Sequence, residues 1–367
     1  MSLRRSTEWS LRVGLVASSV LLSLLLGEAA LRLVFPAGDF LMPVLARNDV
    51  LGMRIRPGAR GFDKWGFRNP TVPGHVDIVA VGDSFTYGYS TSRADAWPAK
   101  LAQISNISVY NLGMGGWGPE QYYCALRIFG LRLNPKVAVV GLYMGNDLQD
   151  AATTGPVFIQ CESLSPESLD KLDRETLPTS QDHRILGATR HWLAQHSVLY
   201  QALKFSLPRL AGVLSSSLVV ADDYTSREIK GHTVVLRKES WLASNPDVVS
   251  VGFVKLAEAL KSMKRLCGGH HLGCVIVLIP SREAIYAELV PDLRGLKNEM
   301  DMHMAIAEKL KSALGGELVF VEPLGALQQA VIDGKQIFPS SEDIHLNSVG
   351  HEVLAKEIAK GLEALSR

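Results

Sequence analysis

Gly82-Asp83-Ser84-Phe85 follows an apolar run, Val76 to Gly82, and Gly88 stands four residues after the serine. A serine there projects from a tight turn beyond the end of the run, a place suited to a nucleophile. The tetrapeptide alone reads more simply as a helix cap. Thr86 fills the place of the second glycine of a G-x-S-x-G elbow, so that motif is excluded. Three further groups change its meaning. Asn111-Leu112-Gly113-Met114-Gly115-Gly116-Trp117-Gly118 ends a second apolar run, and its glycines let backbone N–H groups approach a ligand. Met144-Gly145-Asn146-Asp147 ends a third and supplies a short amide. Asp343-Ile344-His345, followed by Asn347 and Gly350, supplies a histidine beside a carboxylate. A nucleophile, N–H and amide donors and a carboxylate-held imidazole are the parts of acyl transfer.

These groups need a scaffold that brings loop ends together. Val76 to Gly82, Ile107 to Leu112, Val137 to Met144, Cys274 to Ile279 and Leu318 to Val321 have the length and apolar continuity of buried parallel strands. Amphipathic stretches lie between and after them: Ala94 to Ile104, Pro119 to Leu133, Phe253 to Leu266, Glu299 to Leu314 and Val349 to Leu365. The alternation predicts an α/β fold with an open, doubly wound, five-stranded parallel sheet, its ligand site outside the carboxyl ends of the strands. Residues 36–75 are rich in Gly, Pro and Arg and read as an irregular stalk packed on the domain, which then spans 76–367. Residues 149–245 form an insertion after the third strand, either a lid over the site or surface decoration, with helical pieces near Ile185 to Leu193 and Val198 to Leu207.

The four blocks, in this order at strand ends, resemble the SGNH, or GDSL-type, hydrolase superfamily across residues 76–365. The resemblance implies a flavodoxin-like sheet and a serine-dependent esterase, lipase or acyltransferase that needs no metal and no cofactor. By position, Ser84 matches the nucleophile, His345 the general base, Gly116 the oxyanion glycine and Asn146 the oxyanion asparagine; the Ser84 N–H completes the oxyanion hole. The familiar Asp-x-x-His spacing would put Glu342 in the orienting place. Asp343 instead forms Asp-x-His, a spacing seen in membrane-tethered and polysaccharide-acetylating relatives. Asp343 is preferred because a shorter carboxylate freezes fewer torsions in holding the ring. Asp83 is assigned to the turn by local hydrogen bonding. Trp117 and Tyr143 flank the expected site, either stacking on a sugar or walling the pocket.

The chain of 367 residues carries 38 basic and 37 acidic side chains, a balance that argues against a nucleic-acid partner. Arg4, Arg5 and Arg12 precede a largely apolar stretch, Val13 to Phe35, which as one helix spans roughly 34 Å. Residues 1–35 are therefore expected as an uncleaved signal anchor, with Glu28 and Arg32 paired four apart, and the rest of the chain outside the cytoplasm. In that oxidising setting Cys267 and Cys274 are the expected disulfide, with Cys124 and Cys161 buried or free. The two histidines in that loop, at 270 and 271, have no regular zinc spacing. Met300, Met304 and His303 read as core. Arg54, Arg56, Arg60, Trp65 and Arg68 either face an anionic glycan or pack the stalk by their stems. The expected substrate is an ester-bearing molecule, foremost an O-acetylated polysaccharide. The competing readings are an O-acetyltransferase at the same site and a non-catalytic glycan-binding or assembly protein.

Overall fold

The structure is a computed structural model and describes residues 2–35, 39, 41–154, 158–175, 187–204, 221–316 and 318–365. Residues 1–44 with 176–218 form one compact unit, and residues 45–175 with 219–367 form another. The expected helical pieces of the insertion run past these bounds: residues 185–186 and 205–207 lie outside the described residues.

The larger unit is built on five parallel strands: Ile78–Gly82 (β3), Val109–Asn111 (β4), Val137–Tyr143 (β5), Gly273–Ile279 (β9) and Val319–Val321 (β10). Their spatial order is β4-β3-β5-β9-β10, the doubly wound order in which the chain reverses direction between β3 and β5. These are the five strands expected from the apolar runs. The runs are continuous because both sheet faces are covered. Val79, Val81, Val140, Leu142, Ile276 and Leu278 enter one core, while Ile78, Ala80, Val139, Val275, Val277 and Ile279 enter the other. Successive side chains of a strand point to opposite faces, so only an unbroken apolar run fills both layers.

Between Leu45 and Gly74 the chain forms two short strands, Leu45–Asn48 (β1) and Gly52–Ile55 (β2), which pair antiparallel. The insertion strand Asp173–Glu175 (β6) adds to the other edge of β1. At three or four residues each, they are too short to show a period. Past them, Trp65 and Phe67 join Tyr110, Trp117 and Phe129 in an aromatic layer under the sheet. The insertion also returns a hairpin, Tyr224–Ile229 (β7) and His232–Arg237 (β8). Its two-residue turn, Lys230-Gly231, has positive φ at both positions, as a twisted hairpin requires.

The disulfide pairing differs from the expected one. Cys124, in helix Pro119–Ile128, is bonded to Cys161, with Cα atoms 5.7 Å apart. Cys267 and Cys274 are free, buried thiols, joined by a hydrogen bond. Cys267 lies in the last turn of helix Pro246–Gly269 and Cys274 in β9, and both face the apolar core under the sheet. His303 is likewise buried in helix Arg294–Leu314, and burial pulls its pKa down to about 4, whereas Met304, expected in the core, is exposed.

In the smaller unit, helix Ser2–Val34 contains a span, Leu11–Val34, of mean hydropathy 1.9, long and apolar enough to cross a membrane. Arg32 and Glu28 pair at 2.6 Å, as the spacing predicts. Glu28 also accepts hydrogen bonds from the N–H groups of Val198 and Leu199 and from the Ser197 hydroxyl, capping the helical turns that follow helix Gly187–His196.

Candidate active site

The site lies at the carboxyl end of β3, beside the reversal point between β3 and β5 where doubly wound folds open a crevice. β3 stops at Gly82, and Ser84–Tyr87 makes a single helical turn capped by Asp83, whose Oδ1 accepts the Phe85 N–H at 2.9 Å. The turn ends at Gly88. The Ser84 side chain is left at the head of the turn, half-buried.

His345 reaches it from the loop before helix Ser348–Leu365. Its Nε2 stands 3.0 Å from Ser84 Oγ, and its Nδ1 stands 2.9 Å from Asp343 Oδ1. With Nδ1–H donating to the carboxylate, Nε2 is left to accept the serine hydroxyl proton. Burial works against ionisation of Asp343, but hydrogen bonds from His345 and Ser90 outweigh it and hold the carboxyl below its usual value. Phe85 and Tyr89 close over the imidazole, with ring centroids 5.1 and 4.9 Å away. The loop itself is held from below. The buried Arg282 donates to the carbonyls of Ser341 and Asp343, at 3.0 and 3.4 Å. Val235 of β8 donates its N–H to the same Ser341 carbonyl at 2.9 Å, so the insertion's hairpin supports the histidine loop.

The loop after β4 comes alongside. Leu112 and Met114 donate N–H groups to the carbonyls of Ala80 and Gly82, extending the contact with β3 past the regular strand. Asn111 ties the two loops: its Nδ2 donates to the Thr86 carbonyl and its Oδ1 accepts the Gly113 N–H, both at 2.8 Å. Position 113 has to be glycine, because a Cβ there would lie 2.3 Å from the Tyr87 nitrogen. A Cβ on Gly115 would lie 3.8 Å from Ser84 Cβ, which places this loop against the serine. Gly116 follows with φ +78° and open space where a Cβ would be, so its backbone is reachable by a ligand. Asn146, at the end of β5, is half-buried, and its Oδ1 is buried without a hydrogen-bond partner.

Behind the serine lie acids with no basic partner among their described hydrogen bonds. Burial pushes the Asp83 carboxyl up to about 7, despite its bond from Phe85. Burial and the neighbouring Asp83 raise Asp147 well above the usual range, although Tyr122 and the Tyr143 N–H donate to it. Burial brings Asp150 to about 6. Asp83 is thus a turn-holding group, as its place in the sequence suggests, and its Oδ2 stands 3.5 Å from Ser84 Oγ.

Trp117 and Tyr143, expected beside the site, are both buried, which leaves neither ring open to stack on a sugar. Trp117 is buried, donates its Nε1–H to the Met53 carbonyl and packs edge-on to Phe67, so its ring belongs to the core. Tyr143 is buried and stacked on Phe85 at 3.9 Å. The exposed aromatic beside His345 is Tyr89, at 56% exposure. Arg54 and Arg68 are buried too, donating to the Trp65 and Gly88 carbonyls, whereas Arg56 and Arg60 are exposed. Glu342 is exposed. Among the described residues no group of three His, Cys, Asp or Glu side chains is placed to hold a metal ion.

The strand order resembles the SGNH hydrolase fold. No family model matches the chain. Among curated proteins it is 25% identical over 155 residues to a probable alginate O-acetylase, AlgJ, of Pseudomonas fluorescens. That stretch is 40% of this chain and 38% of the relative, so the match spans well under half of that protein. Solved structures superpose loosely. An acetylxylan esterase from Geobacillus stearothermophilus is 12% identical with a TM-score of 0.38, over 79% of this chain and 96% of that one. A lipase/acylhydrolase from Enterococcus faecalis is 13% identical with a TM-score of 0.37, over 78% and 95%.

Proposed function

We propose that this chain is a membrane-tethered serine esterase of the SGNH type, acting on ester-linked acyl groups. The observation that carries the reading is the continuous relay from Ser84 Oγ through His345 to Asp343 at the reversal point of the sheet. In the first step His345 Nε2 takes the Ser84 proton as Oγ bonds to the acyl carbonyl carbon. The carbonyl oxygen becomes an oxyanion, stabilised by the N–H groups of Ser84 and Gly116 and by the Asn146 amide. Collapse breaks the ester bond, and the imidazolium returns its proton to the leaving alcohol. Water then attacks the acyl-serine by the same route, releasing the acid and restoring Ser84. Asp343 stays ionised and holds the ring in the required tautomer.

The substrate class in this reading is an O-acetylated polysaccharide outside the cytoplasm. An exposed tyrosine ring beside the general base suits the apolar face of a sugar. The Arg4, Arg5 and Arg12 flank keeps the amino end inside, and the Cys124–Cys161 bond suits an oxidising compartment. The similarity to a protein named an alginate O-acetylase favours a second reading, transfer of the acyl group from Ser84 to a sugar hydroxyl. Acetate release from an O-acetylated polysaccharide by the detergent-solubilised chain, with and without unacetylated acceptor, tests both. Ser84-dependent release that ignores acceptor supports the esterase; Ser84-dependent acetyl appearing on the acceptor supports transfer. No Ser84-dependent change in either would defeat both.

A further inference from the structure

The turn that carries Ser84 continues into a segment that folds back onto the other end of the relay. Arg68, itself buried, donates to the Gly88 carbonyl at 2.6 Å and the Thr91 carbonyl at 2.9 Å, with its guanidinium 4.9 Å over the Tyr87 ring. Clamped at both ends, the intervening chain puts Ser90 at φ +64°, a conformation that residues with a Cβ rarely adopt. In that conformation the Ser90 hydroxyl donates to Asp343 Oδ2. The other carboxylate oxygen is occupied by the backbone N–H and ring Nδ1 of His345. Both oxygens are thus fixed, one by the histidine and one by a residue six positions after the nucleophile.

The geometry points to Ser90 as a positioning residue that sets the orientation and basicity of Asp343, and through it the His345 ring. The inference rests on the reading of Ser84, His345 and Asp343 given above. Glycine would meet the φ requirement more easily but has no hydroxyl, so the left-handed serine is retained at a conformational cost that strained functional positions bear. Donation from Ser90 disperses charge on the carboxylate. Without it, Asp343 attracts the His345 proton more strongly and is free to turn. Among the described residues, the other titratable and charged groups facing the pair are Tyr89 over the imidazole, Asp83 behind the serine, Arg282 under the loop and His351 in the following helix. His351 is buried, which lowers its pKa to about 3 and keeps it neutral.

The test uses the full chain in detergent with p-nitrophenyl acetate, comparing wild type, Ser84→Ala, Ser90→Ala, Ser90→Gly and Ser90→Asn. Asparagine tolerates the left-handed backbone and keeps a donor. The Ala and Gly variants are expected to lose about tenfold in kcat, the worth of one hydrogen bond to a charged group, with KM unchanged. The acid limb of their kcat/KM profile moves to higher pH, and Asn restores most of both. Wild-type kcat in Ser90→Ala overturns the inference. A lowered kcat with an unmoved pH profile also overturns it, since a merely structural contact would act that way. Turnover that survives Ser84→Ala instead overturns the underlying reading, and this inference with it.

Discussion

One oxygen of Asp343 accepts two hydrogen bonds from His345, from the backbone N–H and from ring Nδ1, each at 2.9 Å. The two-residue spacing makes this double contact possible, because a carboxylate on a short stem folds onto the chain just ahead of it. The carboxylate in contact with the His345 ring is thus that of Asp343, whereas Glu342 is exposed. Asp343→Asn, which keeps the shape but favours the wrong tautomer, is expected to lower kcat by about three to four orders of magnitude. Glu342→Gln is expected to leave it unchanged. Steady-state rates on one activated ester compare the two.

Asp83 makes stability depend on pH. Its folded-state pKa is raised by burial from 3.8 to about 7, so the unfolded chain ionises first as pH rises. Stability on its account is greatest below 3.8 and declines up to about 7. Asp147 and Asp150, also raised by burial, act with the same sign. Asp83→Asn keeps an acceptor for the Phe85 N–H and removes this group's share. Thermal melts at pH 5 and pH 8 should show a smaller loss of Tm in the variant; equal losses would mean that Asp83 ionises freely in the folded protein.

Tyr89 is the exposed aromatic surface beside His345. Tyr89→Ala removes about 1 kcal/mol of ring contact. The expected result is a several-fold higher KM on an acetylated oligosaccharide, with p-nitrophenyl acetate turnover little changed. Equal effects on both substrates would show that the ring shapes the relay rather than binding sugar.

The Cys124–Cys161 bond closes a loop across 37 positions and ties the start of the insertion to helix Pro119–Ile128. Cys161→Ser is expected to cost about 2–4 kcal/mol of stability. Peptide mapping without reductant should recover that pair cross-linked, with Cys267 and Cys274 alkylated.

The scaffold was legible because each strand is a continuous apolar run and each site block stands at the end of one. Ser84, His345 and Asp343 could be read from local motifs. The surroundings could not, for reasons that differ residue by residue. Tyr89 and Ser90 acquire their positions from Arg68, which grips the chain from twenty residues away. Trp117 stands in a glycine loop, where an aromatic serves a core or a ligand equally well; Phe67, fifty positions earlier, decides for the core. Cysteine pairing is not deducible from spacing, and the nearer pair proved to be the unbonded one. The β7–β8 hairpin did leave a sign, since Lys230-Gly231 separates two strand-like runs of six residues.

In the proposed reaction Ser84 attacks the acyl group with His345 as its base. Its most direct test is the initial rate of p-nitrophenyl acetate hydrolysis by the full chain beside Ser84→Ala, with mass spectrometry of the acid-quenched protein. The expected result is an acetyl group on the peptide containing Ser84, with both turnover and adduct lost in the variant. Wild-type turnover no greater than the variant's, with no acetyl on Ser84, would contradict it.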